Sequence, residues 1–245
     1  MDAHKIARSG MIFSYFKRVQ VMVFIADQLH VPGESVFLFP GPVGTLEVAL
    51  SVPQPPVDKR YIALLGHPHS LQGGTMNNKV VTTLVRVFKE LHIPCLRFNF
   101  RGVGQSDGTY DEGRGESEDM LFLARQCLKE LPKAQLLFAG FSFGSYVAYR
   151  AAAQCPHSLL ITIAPSVYHY DYQEFSPRPE PWVVVMGEED ELVPLQAVLE
   201  FVAEVSPCLP LLRFTETGHF FHGKLIDLKV RLIETIREYL CHEID

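Results

Sequence analysis

Gly140-Phe141-Ser142-Phe143-Gly144 follows the apolar run Leu136–Ala139 and opens the alanine-rich helical pattern Ser142–Ala153. Read together, the three pieces are a strand, a sharp turn and a helix. Such a turn forces its central residue to positive φ, and the flanking glycines remove side chains that would collide where strand meets helix. Ser142 then stands clear of the backbone at a helix N-terminus, as a nucleophile would. The plainer reading of these five residues is a glycine-rich turn with a capping serine. The strand before it and the helix after it favour the first reading.

Outward from this turn the chain alternates apolar runs with helical patterns. Val36–Phe39 and Thr45–Leu50 bracket a Pro-Gly-Pro turn and read as a hairpin. Tyr61–Leu65, Cys95–Phe98, Leu159–Ile163, Trp182–Val185 and Leu211–Phe214 are strand-like. Asn77–His92 repeats apolar residues at helical spacing through Val80, Leu84, Val87, Phe88 and Leu91. Glu116–Glu130, Pro194–Val205 and Leu225–Leu240 are also helical. Strands that are continuously apolar are those buried on both faces of a parallel sheet. The order therefore predicts an α/β fold: a doubly wound, mostly parallel sheet of about eight strands with helices on both faces. In such sheets functional groups gather at the carboxyl ends of the strands.

A serine nucleophile needs a base and an orienting carboxylate, here in the chain order Ser, acid, His. After Trp182–Val185 comes Glu188-Glu189-Asp190-Glu191. Four consecutive acids usually form a solvated loop. Asp190 is the expected inward-facing one, because Leu192, Val193 and Pro194 anchor the chain behind it and its short side chain holds a fixed geometry. Glu189 is the alternative. After the last strand comes Thr217-Gly218-His219-Phe220-Phe221-His222. His219 is the expected base, and His222 a capping or surface histidine. Two backbone N–H groups should face the oxyanion, those of Phe143 and of His69 in Gly66-His67-Pro68-His69-Ser70, where Pro68 has no N–H. His67 and His69 also form an H-x-H pair, but no acid or third histidine lies near them in sequence, so no metal is expected. Gly73-Gly74-Thr75 lacks the Gly-Lys-Ser/Thr ending of a phosphate loop and reads as a turn.

The composition sets outer bounds. The chain has 245 residues, 47% hydrophobic and 20% charged, with 17 glycines and 17 prolines. A chain like this buries a sizeable core and is not mainly disordered. Its net charge of −6, without a dense basic patch, argues against nucleic acid as partner. Cys95, Cys127, Cys155, Cys208 and Cys241 are odd in number and scattered, which suits a reducing, cytoplasmic setting better than a disulfide framework. No run approaches the roughly 18 apolar residues of a membrane span. Val19–Ala26, behind Lys17 and Arg18, has the general shape of a signal peptide but is short and lacks a cleavage site. Met22 as the true start, or an N-terminal helix, are the other readings. Residues 1–30 are expected to be an extension, its first 21 dispensable, and residues 31–245 the functional domain, acting as a monomer or homodimer.

Taken together these residues resemble the α/β-hydrolase superfamily, from about Ser35 to the end. Asn99-Phe100-Arg101-Gly102-Val103-Gly104-Gln105-Ser106 is similar to its Asp-x-Arg-Gly-x-Gly-x-Ser structural loop, with Asn for Asp. His67-Pro68-His69-Ser70, Gly73-Gly74-Thr75-Met76 and Asn78-Lys79-Val80-Val81 resemble a group of small carboxylesterase-type hydrolases related to dienelactone hydrolases. That group typically has proline where Ser70 stands. Dienelactone hydrolases themselves use a cysteine nucleophile, so their own activity is not implied. The resemblance implies a serine hydrolase acting on small-molecule acyl esters without a cofactor, with thioesterase, peptidase or a hydrolase-like binding protein as alternatives. The segment between Ile163 and Trp182 is too short for a large lid, which implies a minimal cap and short, soluble substrates. Leu71, Tyr168 and Phe220 are the expected substrate contacts. Tyr168, Tyr170, Tyr172 and Phe175 either line a shallow acyl pocket beside Phe220 and Phe221 or pack the crossover onto the sheet.

Overall fold

The computed structural model describes residues 24–205 and 208–241. The expected dispensable segment 1–21 lies outside the described residues. A short helix, α1 (Ile25–Gln28), precedes the hairpin β1 (Gly33–Gly41) and β2 (Gly44–Val52). Then follow β3 (Tyr61–Gly66), α2 (Lys79–Glu90), β4 (Cys95–Phe98), α3 (Arg114–Glu130), β5 (Gln135–Phe141) and α4 (Phe143–Ala152). The chain ends with β6 (Leu159–Ile163), β7 (Trp182–Gly187), α5 (Leu195–Glu204), β8 (Leu211–Phe214) and α6 (Leu225–Cys241). The strands form one sheet in the order β1-β2-β4-β3-β5-β6-β7-β8, antiparallel at β1–β2 and β2–β4 and parallel elsewhere. This is the expected doubly wound architecture. Helices α2 and α6 pack on each other, as do α3 and α4.

Local chemistry sets the element ends. The Asn78 side chain accepts the Val80 N–H at 2.8 Å, so α2 starts just after it. Glu116 reaches back to the N–H groups of Asp111 and Gly113, both at 2.9 Å, so α3 starts at Arg114, two residues before the expected Glu116. Ile25 and Leu29 are buried in the same core as the sheet, and the Glu130 carboxylate accepts the Ala26 N–H at 2.9 Å. The free thiols of Cys95 and Cys127 lie in the core, where burial pushes that of Cys95 up to about 12.

The loop after β4 is held by charge. Arg101 makes a two-point ion pair with Asp119 of α3, both contacts 2.9 Å and Asp119 fully buried. Ahead of it, the Asn99 side-chain oxygen Oδ1 accepts the Met76 N–H at 2.9 Å. The Asn99 amide donates to Glu47 at 2.7 Å, and the same oxygen of Glu47 accepts the Gln105 N–H at 2.8 Å. Partial burial works against the Glu47 carboxylate, but these donors outweigh it and hold its pKa below the usual range. The asparagine is thus matched to the acid beside it. Asn99→Asp should set two carboxylates against each other, raise a carboxyl pKa in the folded state, and cost about 1–3 kcal/mol at neutral pH. A raised folded-state pKa penalises stability above the unfolded value of about 4, so the loss should shrink as pH falls towards it. Melting temperatures at neutral and acidic pH measure this, and Glu47→Gln should rescue the variant. A variant as stable as the parent at neutral pH contradicts this account.

The segment after β3 carries a second testable feature. Ser70 opens a single 3-10 turn, Ser70–Gln72, and its buried hydroxyl has no hydrogen-bond partner among the described residues. His69 before it has φ −54° and ψ 122°, the extended backbone that a following proline requires. Ser70→Pro should therefore remove an orphan hydroxyl, fix a first-turn φ and stabilise the fold by about 0.4–1 kcal/mol. A lowered melting temperature would show that the turn does not accept the ring.

Candidate active site

Ser142, Asp190, His219 and His69 follow the carboxyl ends of β5, β7, β8 and β3. Between β5 and α4, Ser142 has φ 55° and ψ −120°. That conformation costs on the order of 1–3 kcal/mol and persists only where packing enforces it. The enforcing contact is backbone on backbone. A Cβ on Gly140 would strike the Gly144 carbonyl, and one on Gly144 would strike Gly66 at the end of β3. Ser145, in the first turn of α4, ties the elbow down: its one hydroxyl proton lies within reach of the carbonyls of Gly140 (2.8 Å) and Ile163 (3.0 Å), and its oxygen accepts the Ile163 N–H (3.0 Å).

The acid and the histidine meet as expected. His219 Nδ1 lies 2.8 Å from Asp190 Oδ2, both side chains almost wholly buried. The other Asp190 oxygen accepts the N–H groups of Leu192 (2.9 Å) and Val193 (2.7 Å), which fix the carboxylate. Glu189 is exposed, and Glu188 pairs with Arg213 at 2.8 Å. Glu191 accepts the backbone N–H of His219 at 3.0 Å. The histidine is therefore held twice by the acidic loop, once through its ring and once through its main chain. The ring packs 5.0 Å from that of Phe141, the residue before Ser142, while buried Phe221 anchors the loop against Phe214. His222 is exposed and, among the described residues, makes only a ring contact with Phe220.

The N–H groups of His69 and Phe143 donate to no other group among the described residues. The His69 ring packs 5.1 Å from that of Phe143, which brings the loop after β3 against the elbow. His67 behind it is structural. Nδ1 bonds the Pro68 carbonyl at 2.7 Å and Nε2 accepts the Phe100 N–H at 2.9 Å, so both nitrogens are committed to backbone. Burial lowers its pKa to about 4, which keeps the ring neutral. Among the described residues no group of three or more His, Cys, Asp or Glu side chains could hold a metal ion. No helix among them is long and apolar enough to cross a membrane.

The aromatic crossover divides in two. Tyr172 is buried against Tyr149, Trp182 and Phe201, and Phe175 packs on Tyr149, so this half fastens the crossover to the sheet. Tyr170 instead lines a cleft of about 510 Å³ together with His69, Tyr110 and Tyr146. Leu71, Tyr168 and Phe220 do not line this cleft; they stand 72%, 50% and 36% exposed. Tyr168 donates its hydroxyl to the Leu192 carbonyl at 2.6 Å. Sequence reasoning passed over Ser145, Glu191 and Tyr110. Only Glu191 carried a signal, its place in the acidic run.

No family model matches the chain. An uncharacterised protein of Rickettsia prowazekii is 34% identical over 173 residues, 69% of this chain and 72% of its own length. The protein XC6422 of Xanthomonas campestris, described as an α/β serine hydrolase without lid, is 41% identical with a TM-score of 0.81, over 84% of this chain and 95% of that one. An α/β serine hydrolase homologue from Coxiella burnetii is 40% identical with a TM-score of 0.79, over 84% and 98%. Sheet order, elbow and relatives agree, and the chain belongs to the α/β-hydrolase superfamily, among its serine hydrolases without a lid.

Proposed function

We propose that the chain hydrolyses small, soluble acyl esters through an acyl-enzyme intermediate on Ser142. The observation that carries this reading is the buried Asp190–His219 pair at 2.8 Å, its imidazole packed 5.0 Å from the ring of Phe141, the residue before Ser142 in the strained elbow. Nδ1 of His219 is occupied by the carboxylate, which leaves Nε2 as the base. Ser142 Oγ attacks the carbonyl carbon as its proton passes to Nε2. The electron pair of the C=O bond moves to oxygen, and the free N–H groups of His69 and Phe143 stabilise that charge. Imidazolium then protonates the leaving oxygen as the acyl–O bond breaks. Water repeats the sequence on the acyl-enzyme, losing a proton to Nε2, and Ser142 recovers its own as the acid departs. Asp190 stabilises the imidazolium without itself becoming protonated. The crossover Ala164–Pro181 contains no helix, so it offers no mobile lid to expose an apolar surface at a lipid interface.

Ser142→Ala should keep the fold and lower esterase turnover by at least about a thousandfold. A fluorophosphonate probe should label the parent at Ser142 and leave the variant unlabelled. A folded protein that the probe does not label at Ser142 would be a binding protein rather than an enzyme.

The acidic loop gives a second test, read as kcat/KM on a short acyl ester. Asp190→Asn should lower it by about 10⁴-fold by favouring the wrong imidazole tautomer, whereas Glu189→Gln should leave it near the parent value. His219→Ala should abolish what His222→Ala spares. Equal losses within either pair would overturn the proposed roles.

A further inference from the structure

The two phenylalanines flanking Ser142 sort its surroundings into unlike halves. Phe141 packs on His219 at 5.0 Å and on Phe220 at 6.0 Å. Phe220, Leu192 and, tied to Leu192, the Tyr168 ring are exposed on that side, beside the exposed Glu191 and His222. Phe143 faces the other way, with ring centroids 5.1 Å from His69, 5.6 Å from Tyr110 and 5.5 Å from Tyr170. Of these, His69, Tyr110 and Tyr170 form the half-buried inner wall of the 510 Å³ cleft.

That inner wall is polar and uncharged. His69 Nδ1 accepts the Leu71 N–H at 3.2 Å, so the neutral ring carries its proton on Nε2 as a donor. Burial and the nearby His169 both lower the His69 pKa, which favours this neutral form. The hydroxyls of Tyr110 and Tyr170 lie 3.5 Å apart, a weak contact that leaves both able to bond a ligand. The Tyr146 hydroxyl is already spent on Glu174 and Arg150. Charged groups sit only at the exposed outer rim and carry both signs, Arg114 against Glu112 and Asp171. Tyr146 and Tyr170 stack on each other at 4.6 Å, so their faces are partly covered and their polar edges become the surface offered.

We propose that this cleft receives the acyl half of the substrate and selects short, uncharged acyl groups bearing a hydroxyl, while the leaving alcohol lies on the Phe141 side. The assignment rests on the serine-hydrolase reading above. His219 must protonate the leaving oxygen, which places the alcohol on the Phe141 side. The carbonyl oxygen faces the His69 and Phe143 N–H groups. The remaining substituent of the carbonyl carbon, the acyl chain, is then directed past Phe143 into the cleft. A hydroxyl there meets the Tyr110 and Tyr170 hydroxyls and the His69 N–H. An alkyl chain of the same length leaves those half-buried groups unsatisfied, which is how a polar site discriminates.

The test compares two matched pairs of esters by titrating released acid. Methyl 3-hydroxybutyrate and methyl butyrate differ by one hydroxyl on the acyl side. 2-Hydroxyethyl butyrate and ethyl butyrate differ by one on the alcohol side. The first pair should favour the hydroxylated ester in kcat/KM by at least about tenfold, and the second should show no preference. In the Tyr110→Phe/Tyr170→Phe double variant the first ratio should fall towards one. A ratio at or below one in the wild-type protein overturns the proposal, and so does a preference that appears only in the alcohol pair. Fluorophosphonate labelling of Ser142 separates the two levels. Labelling without the acyl preference refutes this inference alone, and absence of labelling refutes the function beneath it as well.

Discussion

The close approach of three backbones, at Gly66 on β3 and at Gly140 and Gly144 around the elbow, is the constraint on which the site hangs. It lets the first turn of α4 settle against the end of β3. That in turn sets the Phe143 N–H beside the loop carrying His69 and turns Ser142 outward at positive φ. A single Cβ at Gly140 or Gly144 would push the helix off the strand and move both donors relative to the serine. The Ser145 hydroxyl reinforces the arrangement from the other side by bridging β5 to β6. Strain at one residue is sustained here by contacts at several others, as strained functional positions require.

The remainder of the site is built by carboxylates that answer specific donors. Asp190 spends one oxygen on two backbone N–H groups and the other on the imidazole, so its orientation is fixed before any substrate arrives. Glu191 adds a hold on the main chain of the same histidine. The distant Arg101–Asp119 pair and the Glu47–Asn99 contact follow the same logic in the loop after β4. Buried polar groups of this kind add shape rather than bulk stability, because each is costly unless its partner is present.

Much of this was legible in the sequence, for identifiable reasons. Strands buried on both faces had to be continuously apolar, so β3 to β7 stood out as runs, and the elbow was marked by glycines whose absence of side chain has one physical use. Asp190 could be preferred over Glu189 because a short acid followed by apolar anchors suits a fixed contact, and the structure puts it against His219. What stayed hidden depends on residues far apart in the chain. Helix α1 spans four residues, too few for a period to show, and is held by Glu130 of α3 and by burial of Ile25. The cleft draws its wall from the segments around His69, Tyr110 and Tyr170, none of which has a local pattern that foretells their meeting. Tyr168 to Phe175 left two readings open; Tyr172 and Phe175 pack on the core, while Tyr170 lines a cleft that Phe220 and Phe221 do not.

The double hold on His219 ties its fate to the margin of the sheet. It sits in the loop after β8, and β8 has a strand partner on one side only, β7. Both carboxylates that grip it come from the loop after β7. The proposed base and its orienting acid thus follow the two strands at one margin of the sheet, whereas Ser142 follows β5 near its middle. Regions with fewer packed neighbours open at lower free energy than the global transition. Fraying of this margin would disengage base from nucleophile while the central strands stay intact, so loss of turnover on mild heating or in dilute denaturant would come before loss of the fold.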